Sequence, residues 1–519
     1  MCRESGKKVP LGYNGMQSQK DILDIIKPSS YLSGAVLTVA QMYQADQAAI
    51  AMGIAGSRLM EAAGFAISRV VRLYHHNKHR RPVAILCGPG NNGGDGFVAA
   101  RFLAKAGWMV RLSLLGPRES LQGDAAAAAN RWHGTVMPLS TDSLTGCALV
   151  IDALFGSGLS RPLEGIARSV IEEISNHNLP VVAVDVPSGL HGDTGKTLGG
   201  LAPKADVTVT FFRPKPAHFL LPGRSLCGTL VVADIGTPDS VFKSIDPQIF
   251  VNGPYLWRLP VPVLSEHKYS RGHVIAVGGA VMTGAVRLAA RAARRVGAGL
   301  VTIAAPQTSL SLYAMDSPGL IVASCETEDD LIKLLTHARC NALLIGPGMS
   351  PGAGTRAMVI AALHSALPCV LDAGALTSFA HDPTALFSCL HASCVLTPHD
   401  GEYVSLFGNS TYSRLERATM AAQLTGAIVI LKGSDTVIAA PNKPAVINTN
   451  APVTLATAGT GDVLAGLISS LLAQGMDSFP AACAAVWLHS AAATLVGPGL
   501  VAEDLPEALP AVLATYNKT

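Results

Sequence analysis

Short apolar runs alternate with segments of helical periodicity along most of this chain. In the first half, apolar positions on one helical face predict two helices between about Thr38 and Val70. The apolar runs that follow are predicted to be strands, at residues 83–87, 109–115, 149–152, 181–185, 207–211 and 229–233. Uninterrupted apolar strands are typical of a parallel sheet that is covered on both faces. The first half is therefore predicted to be an α/β/α sandwich.

The same alternation resumes after residue 264. Strands are predicted within 268–279 and at 342–345, 369–371, 395–397 and 428–431, followed by a hairpin and a long apolar helix. This pattern predicts a second, doubly wound α/β domain. The proline-rich residues between the halves predict a linker. We thus predict a mobile extension at 1–34, a first domain at 35–245, a linker at 246–264 and a second domain at 265–519.

Composition narrows the function classes. A chain of 519 residues, of which 49% are hydrophobic and 14% charged, is typical of a globular protein with roughly two to four domains. The net charge is +3 without a long basic run, so nucleic-acid binding is not expected. No run of about 18 apolar residues predicts a membrane span, and residues 481–496, which include His489, are predicted to be a buried helix. The 10 cysteines lack CxxC pairs, which predicts reduced thiols in the cytoplasm and no zinc site.

A glycine-rich segment follows the first predicted strand. Residues 88–96 read GPGNNGGDG, and their start fits the GxGxxG fingerprint of Rossmann-like, dinucleotide-binding folds. The acidic ribose-binding residue of that fingerprint is missing, because Leu115 leads directly into a Gly-Pro turn. Asn91, Asn92 and Asp95 bring several polar groups into one turn, where they can hold a cation and a ligand. The alternative is a tight turn in which Asn and Asp only tolerate left-handed φ angles.

Two further predicted strands end in aspartate. Asp152 is followed by a GSGLSRP loop a few residues later, and Asp185 is followed by Val-Pro-Ser-Gly. The carboxyl ends of parallel strands meet at one edge of a sheet, where ligands bind. Asp95, Asp152 and Asp185 are therefore predicted to line one crevice, whereas a single aspartate after a strand would indicate only a turn.

The second half contains a glycine-rich turn directly before its long apolar helix. Residues 457–462 read TAGTGD, which places free backbone amides and the positive end of a helix dipole where an anion can bind. This site suits a phosphoryl group in transfer, with Asp462 as the base. The alternative is an N-cap aspartate that stabilises the helix by ~1 kcal/mol. His399, after another predicted strand, is likewise either a helix cap or a ligand contact.

Together these motifs resemble known families. The first half resembles the NAD(P)H-hydrate epimerase family in four motifs: LMEAAG at 59–64, GNNGGDG at 90–96, DALFGSGLSRP from Asp152 and DVPSGL from Asp185. The second half resembles the NAD(P)H-hydrate dehydratase family of the ribokinase-like superfamily. The motifs are GGA at 278–280, GPGMS at 346–350, TPHDGE at 397–402, KGSDT at 432–436 and TAGTGD. Their order resembles that of the bifunctional NAD(P)H-hydrate repair enzymes, over nearly the whole chain beyond residue 35.

The resemblance implies metabolite repair by both halves. The substrate is NADH or NADPH that carries an added water on its nicotinamide ring. The first half is expected to interconvert the R and S hydrates, with Asp185 as acid or base in loss of the ring hydroxyl or in ring opening. A potassium ion is expected on Asn92, Asp152 and Ser188. Substrate contacts are expected from Asn91, Asn92, Gly93, Gly94, Asp95, Gly156, Ser157, Gly158, Leu159, Ser160, Arg161, Pro162 and Asp185.

The second half is expected to dehydrate the S hydrate to NAD(P)H. Asp462 would deprotonate the ring hydroxyl, which attacks the terminal phosphate of ADP or ATP in the presence of Mg²⁺ and then leaves as phosphate, with AMP as the other product when ADP is used. The anion hole is expected at Ala458, Gly459, Thr460 and Gly461. The hydrate is expected to contact Ala285, Gly348, His399 and Asp462. The nucleotide is expected to contact Lys432, Gly433, Ser434, Asp435, Thr436 and Gly461.

Two positions depart from the family pattern. Ala280 stands where relatives often carry serine, and Gly374 stands where a second aspartate commonly follows Asp372 and Ala373. We expect altered affinity there rather than lost activity. The competing hypothesis is a vitamin or pyrimidine kinase in the second half, fused to a non-catalytic nucleotide-binding module. A cytoplasmic homo-oligomer is expected, and the sequence leaves the choice between ADP and ATP open.

Overall fold

A computed structural model describes residues 32–75, 77 and 80–516 of the chain. Residues 1–31 of the predicted extension therefore lie outside the described residues. The chain divides into two compact units: the first runs from Leu37 to Asp246, and the second runs from Pro247 onward and also includes the residues directly before Leu37. Each unit has its own sheet and its own apolar core.

The first unit is built on a parallel sheet of seven strands. Its helices are α1 (Val39–Ala51), α2 (Gly56–Tyr74), α3 (Asn91–Lys105), α4 (Gly123–Asn130), α5 (Gly165–His177) and α6 (Gly223–Leu226). Its strands are β1 (Val83–Cys87), β2 (Val110–Leu114), β3 (Val136–Pro138), β4 (Leu149–Ala153), β5 (Val181–Val184), β6 (Val207–Phe211) and β7 (Thr229–Ala233). The strand order is β3-β2-β1-β4-β5-β6-β7. Because this order reverses between β1 and β4, a ligand crevice is expected beyond their carboxyl ends.

Alternate residues of the central strands pack into two separate cores. Val83, Ile85 and Cys87 of β1 belong to one apolar cluster, whereas Ala84 and Leu86 belong to another. Successive side chains of a strand point to opposite faces, so both faces of this sheet are covered and the predicted α/β/α sandwich is confirmed. The short strand β3 was not predicted, because its residues are partly exposed at the edge of the sheet and form no apolar run.

The glycine-rich segment at 88–96 folds differently from the prediction. We expected a turn through residue 96, but α3 already begins at Asn91 with Gly90 as its N-cap. The glycines permit close packing rather than left-handed turns: a Cβ on Gly93 would lie 1.9 Å from the Gly88 carbonyl oxygen. The polar residues of this segment therefore lie on the first turns of a helix, held tightly against the end of β1.

The second unit is built on a sheet of ten strands. Its helices are α7 (Thr283–Val296), α8 (Leu310–Ala314), α9 (Glu328–His337), α10 (Ala353–His364), α11 (Gly374–Thr377), α12 (Pro383–Phe387), α13 (Asp400–Phe407), α14 (Arg414–Thr425), α15 (Thr460–Ala473), α16 (Ser478–Val496) and α17 (Asp504–Tyr516). Its strands are β8 (Ile249–Val251), β9 (His273–Val277), β10 (Leu300–Ala305), β11 (Ile321–Ser324), β12 (Ala342–Ile345), β13 (Cys369–Leu371), β14 (Cys394–Leu396), β15 (Ile428–Leu431), β16 (Val437–Ala439) and β17 (Ala445–Ile447).

The strand order of the second sheet is β11-β10-β9-β12-β13-β14-β15-β16-β17-β8. The pairs of β16 with β15 and with β17 are antiparallel, and the other pairs are parallel. The predicted hairpin and the doubly wound α/β architecture are thereby confirmed. The order reverses between β9 and β12, which predicts the ligand crevice of this unit beyond their carboxyl ends.

The predicted linker at 246–264 is wrong in part. Ile249–Val251 form β8, which pairs with β17 at the end of the second sheet. The side-chain amide of Asn252 donates to Asn448 Oδ1 at 3.0 Å, which ties the next residue to the same sheet. Leu32–Gly34, the described end of the predicted extension, form a short 3-10 helix. The prolines of this segment suggested a linker without secondary structure. Prolines are also tolerated next to an edge strand such as β8, so their frequency did not exclude one.

Two helices of the second unit, α15 and α16, are largely buried. α15 packs very closely on α7, because a Cβ on Gly466 would lie only 2.1 Å from the Ala289 carbonyl oxygen. Among the described helices, α16 alone is long and apolar enough to cross a membrane by length and composition. Most of α16 is buried inside this unit, including His489, as predicted for a core helix.

Candidate functional sites

A cavity of about 630 Å³ lies beyond the carboxyl ends of β1 and β4 in the first unit. Its walls come from the loops after β1, β4, β5 and β6 and from α1 and α2. Most predicted contacts line it: Asn91, Asn92, Asp95, Gly156, Ser157, Gly158, Leu159, Ser160, Arg161 and Asp185. Gly93 and Gly94 instead pack against Gly88 and Met60, and Pro162 packs beside Gly199. Asp95 and Asp185 therefore line one crevice as predicted, whereas Asp152 is fully buried and does not line it.

Asp185 is held by three neighbouring groups. Its Oδ2 accepts a hydrogen bond from the Ser157 amide at 2.8 Å, and its Oδ1 accepts one from the Thr210 hydroxyl at 3.0 Å. The Lys215 ammonium lies 2.8 Å from the same Oδ1, and Lys215 is only 2% exposed. Burial acts to raise the pKa of Asp185, but Lys215 and the Ser157 hydrogen bond outweigh it and hold the pKa below its usual range. Asp185 is thus an ionised carboxylate at neutral pH.

A neutral histidine fixes the backbone around this ion pair. The Nδ1 atom of His218 accepts the Lys215 amide at 2.9 Å, so its Nε2, 2.8 Å from the Asp185 carbonyl oxygen, is the donor there. Burial, together with the Lys215 charge, lowers the pKa of His218 to about 4. Asp185 itself has a φ of 67°, in the left-handed region. This conformation costs about 1–3 kcal/mol and persists only where the surrounding structure enforces it. The sequence prediction missed Thr210, Lys215 and His218, although the segment Arg-Pro-Lys-Pro-Ala-His at 213–218 was a usable signal for the last two.

An oxygen-rich cluster lies beside the same cavity. Asp152 is fully buried, and its two carboxylate oxygens accept the Ser188 hydroxyl at 2.6 Å and the Ser188 amide at 2.8 Å. The Phe155 carbonyl oxygen lies 3.2 Å from the Ser188 hydroxyl. Burial raises the pKa of Asp152, against hydrogen bonds from Ser188 that lower it. In the part of the chain that the structure describes, no ion pair involves Asp152 and the Asn92 side-chain nitrogen has no hydrogen-bond partner.

In the second unit, the turn at 457–462 opens directly into α15. Gly459 is the N-cap with a φ of 86°, and Asp462 is the third residue of the helix. The Val463 amide makes the first bond back, to the Gly459 carbonyl oxygen at 3.2 Å. The amides of Thr460, Gly461 and Asp462 have no hydrogen-bond partner among the described residues, so they can meet an anion. The N-cap alternative for Asp462 is wrong, because Gly459 occupies that position.

Lys432 connects this turn to a buried carboxylate. Its Nζ lies 2.7 Å from Asp372 Oδ1 and 4.0 Å from Glu402 Oε2. A Cβ on Gly461 would lie 3.5 Å from the same Nζ, so the ammonium group adjoins the anion-binding turn. Burial acts to lower the pKa of Lys432, but Asp372 and Glu402 outweigh it and raise the pKa. A charged lysine therefore lies beside the turn.

Asp462 differs from Asp185 in its surroundings. Its side chain accepts no hydrogen bond from any described residue. Burial, with the charge of Asp372, raises the pKa of Asp462 to about 6, against an opposing effect of Lys432. A general base works best when its pKa is close to the pH of the reaction. Asp462 therefore has the properties of a base that takes a proton and releases it again near neutrality.

The predicted nucleotide-binding segment forms the turn between β15 and β16. Within it, the Gly433 amide donates to the Thr436 hydroxyl at 3.1 Å. Asp435 is buried and its carboxylate lies 2.8 Å from the Arg414 guanidinium. Arg414 also donates to the Lys432 carbonyl oxygen at 3.0 Å, so it holds the turn from behind. Sequence reasoning missed Arg414, which is the first residue of α14.

The remaining predicted hydrate contacts lie in two places. A Cβ on Gly348 would lie 3.4 Å from Ala285 Cβ, so these two residues are neighbours. His399 is the N-cap of α13, where its Nδ1 accepts the amides of Gly401 at 3.0 Å and Glu402 at 3.2 Å. The cap alternative is thus confirmed. Because 59% of the His399 side chain is exposed, a ligand contact stays a prediction.

The two departures from the family pattern have different surroundings. A Cβ on Gly374 would lie 2.2 Å from the Met349 carbonyl oxygen and 3.1 Å from that of Gly346. An aspartate at this position therefore requires the backbone to move. Ala280 is exposed, and a serine would fit there.

The two units match two different families. Residues 56–217 match a family described as YjeF-related protein N-terminus, and residues 273–510 match one described as NAD(P)H-hydrate dehydratase. The bifunctional NAD(P)H-hydrate repair enzyme of Moorella thermoacetica is 36% identical, over 93% of this chain and 97% of the relative. That of Coxiella burnetii is 34% identical, over 90% and 96%. Among solved structures, an ADP/ATP-dependent NAD(P)H-hydrate dehydratase from Bacillus subtilis, co-crystallised with ATP and Mg²⁺, is 29% identical to this chain. The match covers 50% of this chain and 94% of the solved chain, with a TM-score of 0.43.

Proposed function

The chain belongs to the bifunctional NAD(P)H-hydrate repair enzymes, and from this we propose how its two units divide the reaction. The first unit interconverts the R and S hydrates of NADH and NADPH, and the second dehydrates the S hydrate with ADP or ATP. The observation that carries the proposal is that each unit holds an aspartate suited to act as a base, ionised in Asp185 and with a pKa of about 6 in Asp462. The matches do not favour the alternative of a small-molecule kinase.

In the first unit, Asp185 is the base for epimerisation. The hydroxyl of the hydrate is on a carbon bonded to the ring nitrogen, so removal of the hydroxyl proton permits ring opening, and closure on the other face inverts the centre. Lys215 and Thr210 position the carboxylate, and Lys215 keeps it ionised. The cavity of about 630 Å³ is large enough for the hydrated nicotinamide ring and part of the cofactor.

The cluster around Asp152 suits a potassium ion. Carboxylate, hydroxyl and carbonyl oxygens are ligands for hard cations, and the buried Asp152 has no cationic partner among the described side chains. Asp152, Ser188 and Asn92, whose Oδ1 would lie 3.1 Å from a Cβ on Gly156, would hold the ion. When bound, the cation would balance the Asp152 charge and attract the electron-rich groups of the hydrate.

In the second unit, Asp462 deprotonates the ring hydroxyl, which attacks the terminal phosphate of the nucleotide. The amides of Thr460, Gly461 and Asp462 and the Lys432 ammonium stabilise the charge on the transferred group. Phosphate then leaves together with a ring proton, and the dihydronicotinamide is restored. The nucleotide lies on the turn from Lys432 to Thr436, with Asp435 and Arg414 supporting that turn from inside.

Mg²⁺ is expected to arrive with the nucleotide. Among the described residues, no group of three or more His, Cys, Asp or Glu side chains could hold a metal ion by itself. Asp372 and Asp462 are the carboxylates available at the turn, and Asp372 already contacts Lys432 and the Thr397 hydroxyl. Mg²⁺ is commonly bound by one or two carboxylates and by substrate phosphates, which this donor set permits. A homo-oligomeric state and a cytoplasmic location stay predictions.

The test is to supply hydrated NADPH with ADP or with ATP to the full chain. We expect the dihydronicotinamide absorbance to return, with one phosphate released for each cofactor restored. Starting from the pure R hydrate, recovery should also reach completion. A kinase would return no absorbance and would leave a stable phosphorylated product, and a non-catalytic first unit would leave the R hydrate unconverted beyond its spontaneous rate.

The pH dependence of dehydration should report on Asp462. Because the base must be ionised, kcat/KM should fall below a pH of about 6, the pKa of Asp462, by about tenfold for each further pH unit. Asp372→Asn removes a negative charge that raises this pKa and frees Lys432 to lower it, so the acid limb should move to lower pH. An unchanged limb in the variant would contradict this account, and the limb of Asp477→Asn should not move.

Removal of Lys215 should move the acid limb of epimerisation to higher pH. In Lys215→Met, burial of Asp185 is no longer opposed by an ammonium charge, so the pKa of Asp185 should rise above its ordinary value. The wild type should show no acid limb near pH 5, whereas the variant should lose activity as the pH falls toward that region. Epimerisation at higher pH should recover in part, because the base is again ionised. A uniform loss at every pH would instead indicate misfolding.

A further inference from the structure

α1 contributes a carboxylate to the wall of the first cavity. Met42, Asp46 and Ile50 line the cavity at successive four-residue spacings, so they occupy one face of the helix. Met42 is buried in the apolar core, and Asp46 is half-buried between its two apolar neighbours. No hydrogen bond or ion pair joins the Asp46 side chain to any described residue. The Asp46 carboxyl group therefore faces the cavity and not a structural partner.

In a concerted cleavage, the base that takes the hydroxyl proton does not at the same time protonate the ring nitrogen. Both oxygens of Asp185 accept hydrogen bonds, and its partner Lys215 is buried and donates to the Thr210 hydroxyl at 2.8 Å. Reversible cleavage of the bond between the hydrated carbon and the ring nitrogen needs a proton for the nitrogen as well as a base for the hydroxyl. A second group in the cavity must supply that proton.

We propose that Asp46 is the proton donor of the epimerase, acting on the ring nitrogen while Asp185 acts on the ring hydroxyl. This inference rests on the proposed function of the first unit. Asp185 takes the hydroxyl proton, the O–H electron pair forms a C=O bond, and the bond from carbon to nitrogen breaks with its pair on nitrogen. Nitrogen takes the Asp46 proton. After rotation of the aldehyde, the same steps in reverse close the ring on the other face and return both protons.

Burial and the charges around Asp46 favour the protonated form that a donor requires. The charged groups that share its cavity or pack on α1 are Asp95, Asp124, Arg161, Asp185, Lys215, Asp193 at the start of α1, and Asp239 and Lys243 of the 3-10 helix that contacts α1. Burial raises the pKa of Asp46, Lys215 opposes this and Asp185 adds to it, with a net rise. Pairs of carboxyl groups whose surroundings separate their pKa values commonly divide the acid and base roles.

Asp95 is the other carboxyl group considered for this role. Its pKa is raised well above the ordinary value, first by burial and then by Asp185 and Asp46. Asp95 is only 8% exposed and its charge also affects the Cys87 thiol at the end of β1, so it lies deeper than Asp46. Asp46 is more accessible and comes from a separate helix, and a substrate ring lodged between α1 and the strand ends would contact both it and Asp185.

The test uses the full chain, pure R hydrate and chromatographic separation of the two epimers. Asp46→Asn should lower kcat for epimerisation by roughly 10²-fold or more, with KM changed by less than about threefold. The wild type should lose activity at high pH as Asp46 ionises, and the variant should lack this alkaline limb. Asp46→Glu should recover part of the rate and the limb. Asp142→Asn, an exposed carboxylate of the same unit, is the matched control, and the thermal unfolding of the first unit in each variant checks its folding.

The outcomes separate the inference from the function on which it rests. A wild-type rate and pH profile in Asp46→Asn would overturn the inference, and so would loss of the alkaline limb in Asp95→Asn but not in Asp46→Asn. If the wild type itself does not convert the R hydrate, the epimerase function fails instead.

Discussion

Asp462→Asn should lower kcat for nucleotide-dependent dehydration of the S hydrate by roughly 10³-fold, while the epimerase of the same chain keeps its wild-type rate. Asparagine has the shape of aspartate but cannot take the hydroxyl proton, so the nucleophile is never formed. The free amides of Thr460 and Gly461 remain, and Asp372 stays available to the Mg²⁺ of the nucleotide, so nucleotide binding should not weaken. The expected signature is therefore a lost kcat with an unchanged or lower KM for the nucleotide.

Steady-state dehydration with ADP and with ATP, followed by the returning dihydronicotinamide absorbance, measures this effect. The matched control is Asp477→Asn, which changes an exposed aspartate at the N-cap of α16 in the same unit. Dehydration within about threefold of wild type in Asp462→Asn would be too fast for loss of a general base, and the proposed role of Asp462 would have to be given up.

The two aspartates proposed as bases could be predicted from sequence because both follow from the position of strand and helix ends. An aspartate directly after an apolar run, as at Asp185, and a Gly-Thr-Gly-Asp turn before an apolar helix, as at Asp462, are local patterns. The parallel sheets then bring strand ends together without further information. Local pattern therefore predicted the crevice of the first unit and the anion-binding turn of the second. It placed Asn91–Asp95 in a turn, because glycines that permit close packing look the same in sequence as glycines that permit a positive φ.

The groups that tune these aspartates could not be predicted in the same way. Lys215 pairs with Asp185 only because β5 and β6 are neighbours in the sheet, and Lys432 reaches Asp372 across 60 residues of sequence. Asp46 lies on α1, a helix that precedes the sheet, and the sequence does not indicate that this helix lines the first cavity. Buried pairs of this kind depend on strand order, and strand order became visible only in the structure.

Asp185→Asn should abolish epimerisation, with a loss of roughly 10²–10⁴-fold in kcat, and should also destabilise the first unit. The side chains of Asp185 and Lys215 are only 14% and 3% exposed, so removal of one charge leaves the other buried and unpaired. Breaking a buried pair in this way typically costs about 3–5 kcal/mol. A loss of activity in this variant is therefore ambiguous by itself between a missing base and a weakened fold.

A double variant resolves the ambiguity. Asp185→Asn with Lys215→Met removes both charges, so the free energy of unfolding should recover most of the loss, since replacing a buried pair by apolar or neutral groups is often neutral. Epimerisation should stay as low as in Asp185→Asn, because no base has been restored. Asp234→Asn, an exposed aspartate directly after β7, is the matched control for an aspartate at a strand end. Recovery of epimerisation together with stability in the double variant would show that Asp185 serves the fold and not the reaction.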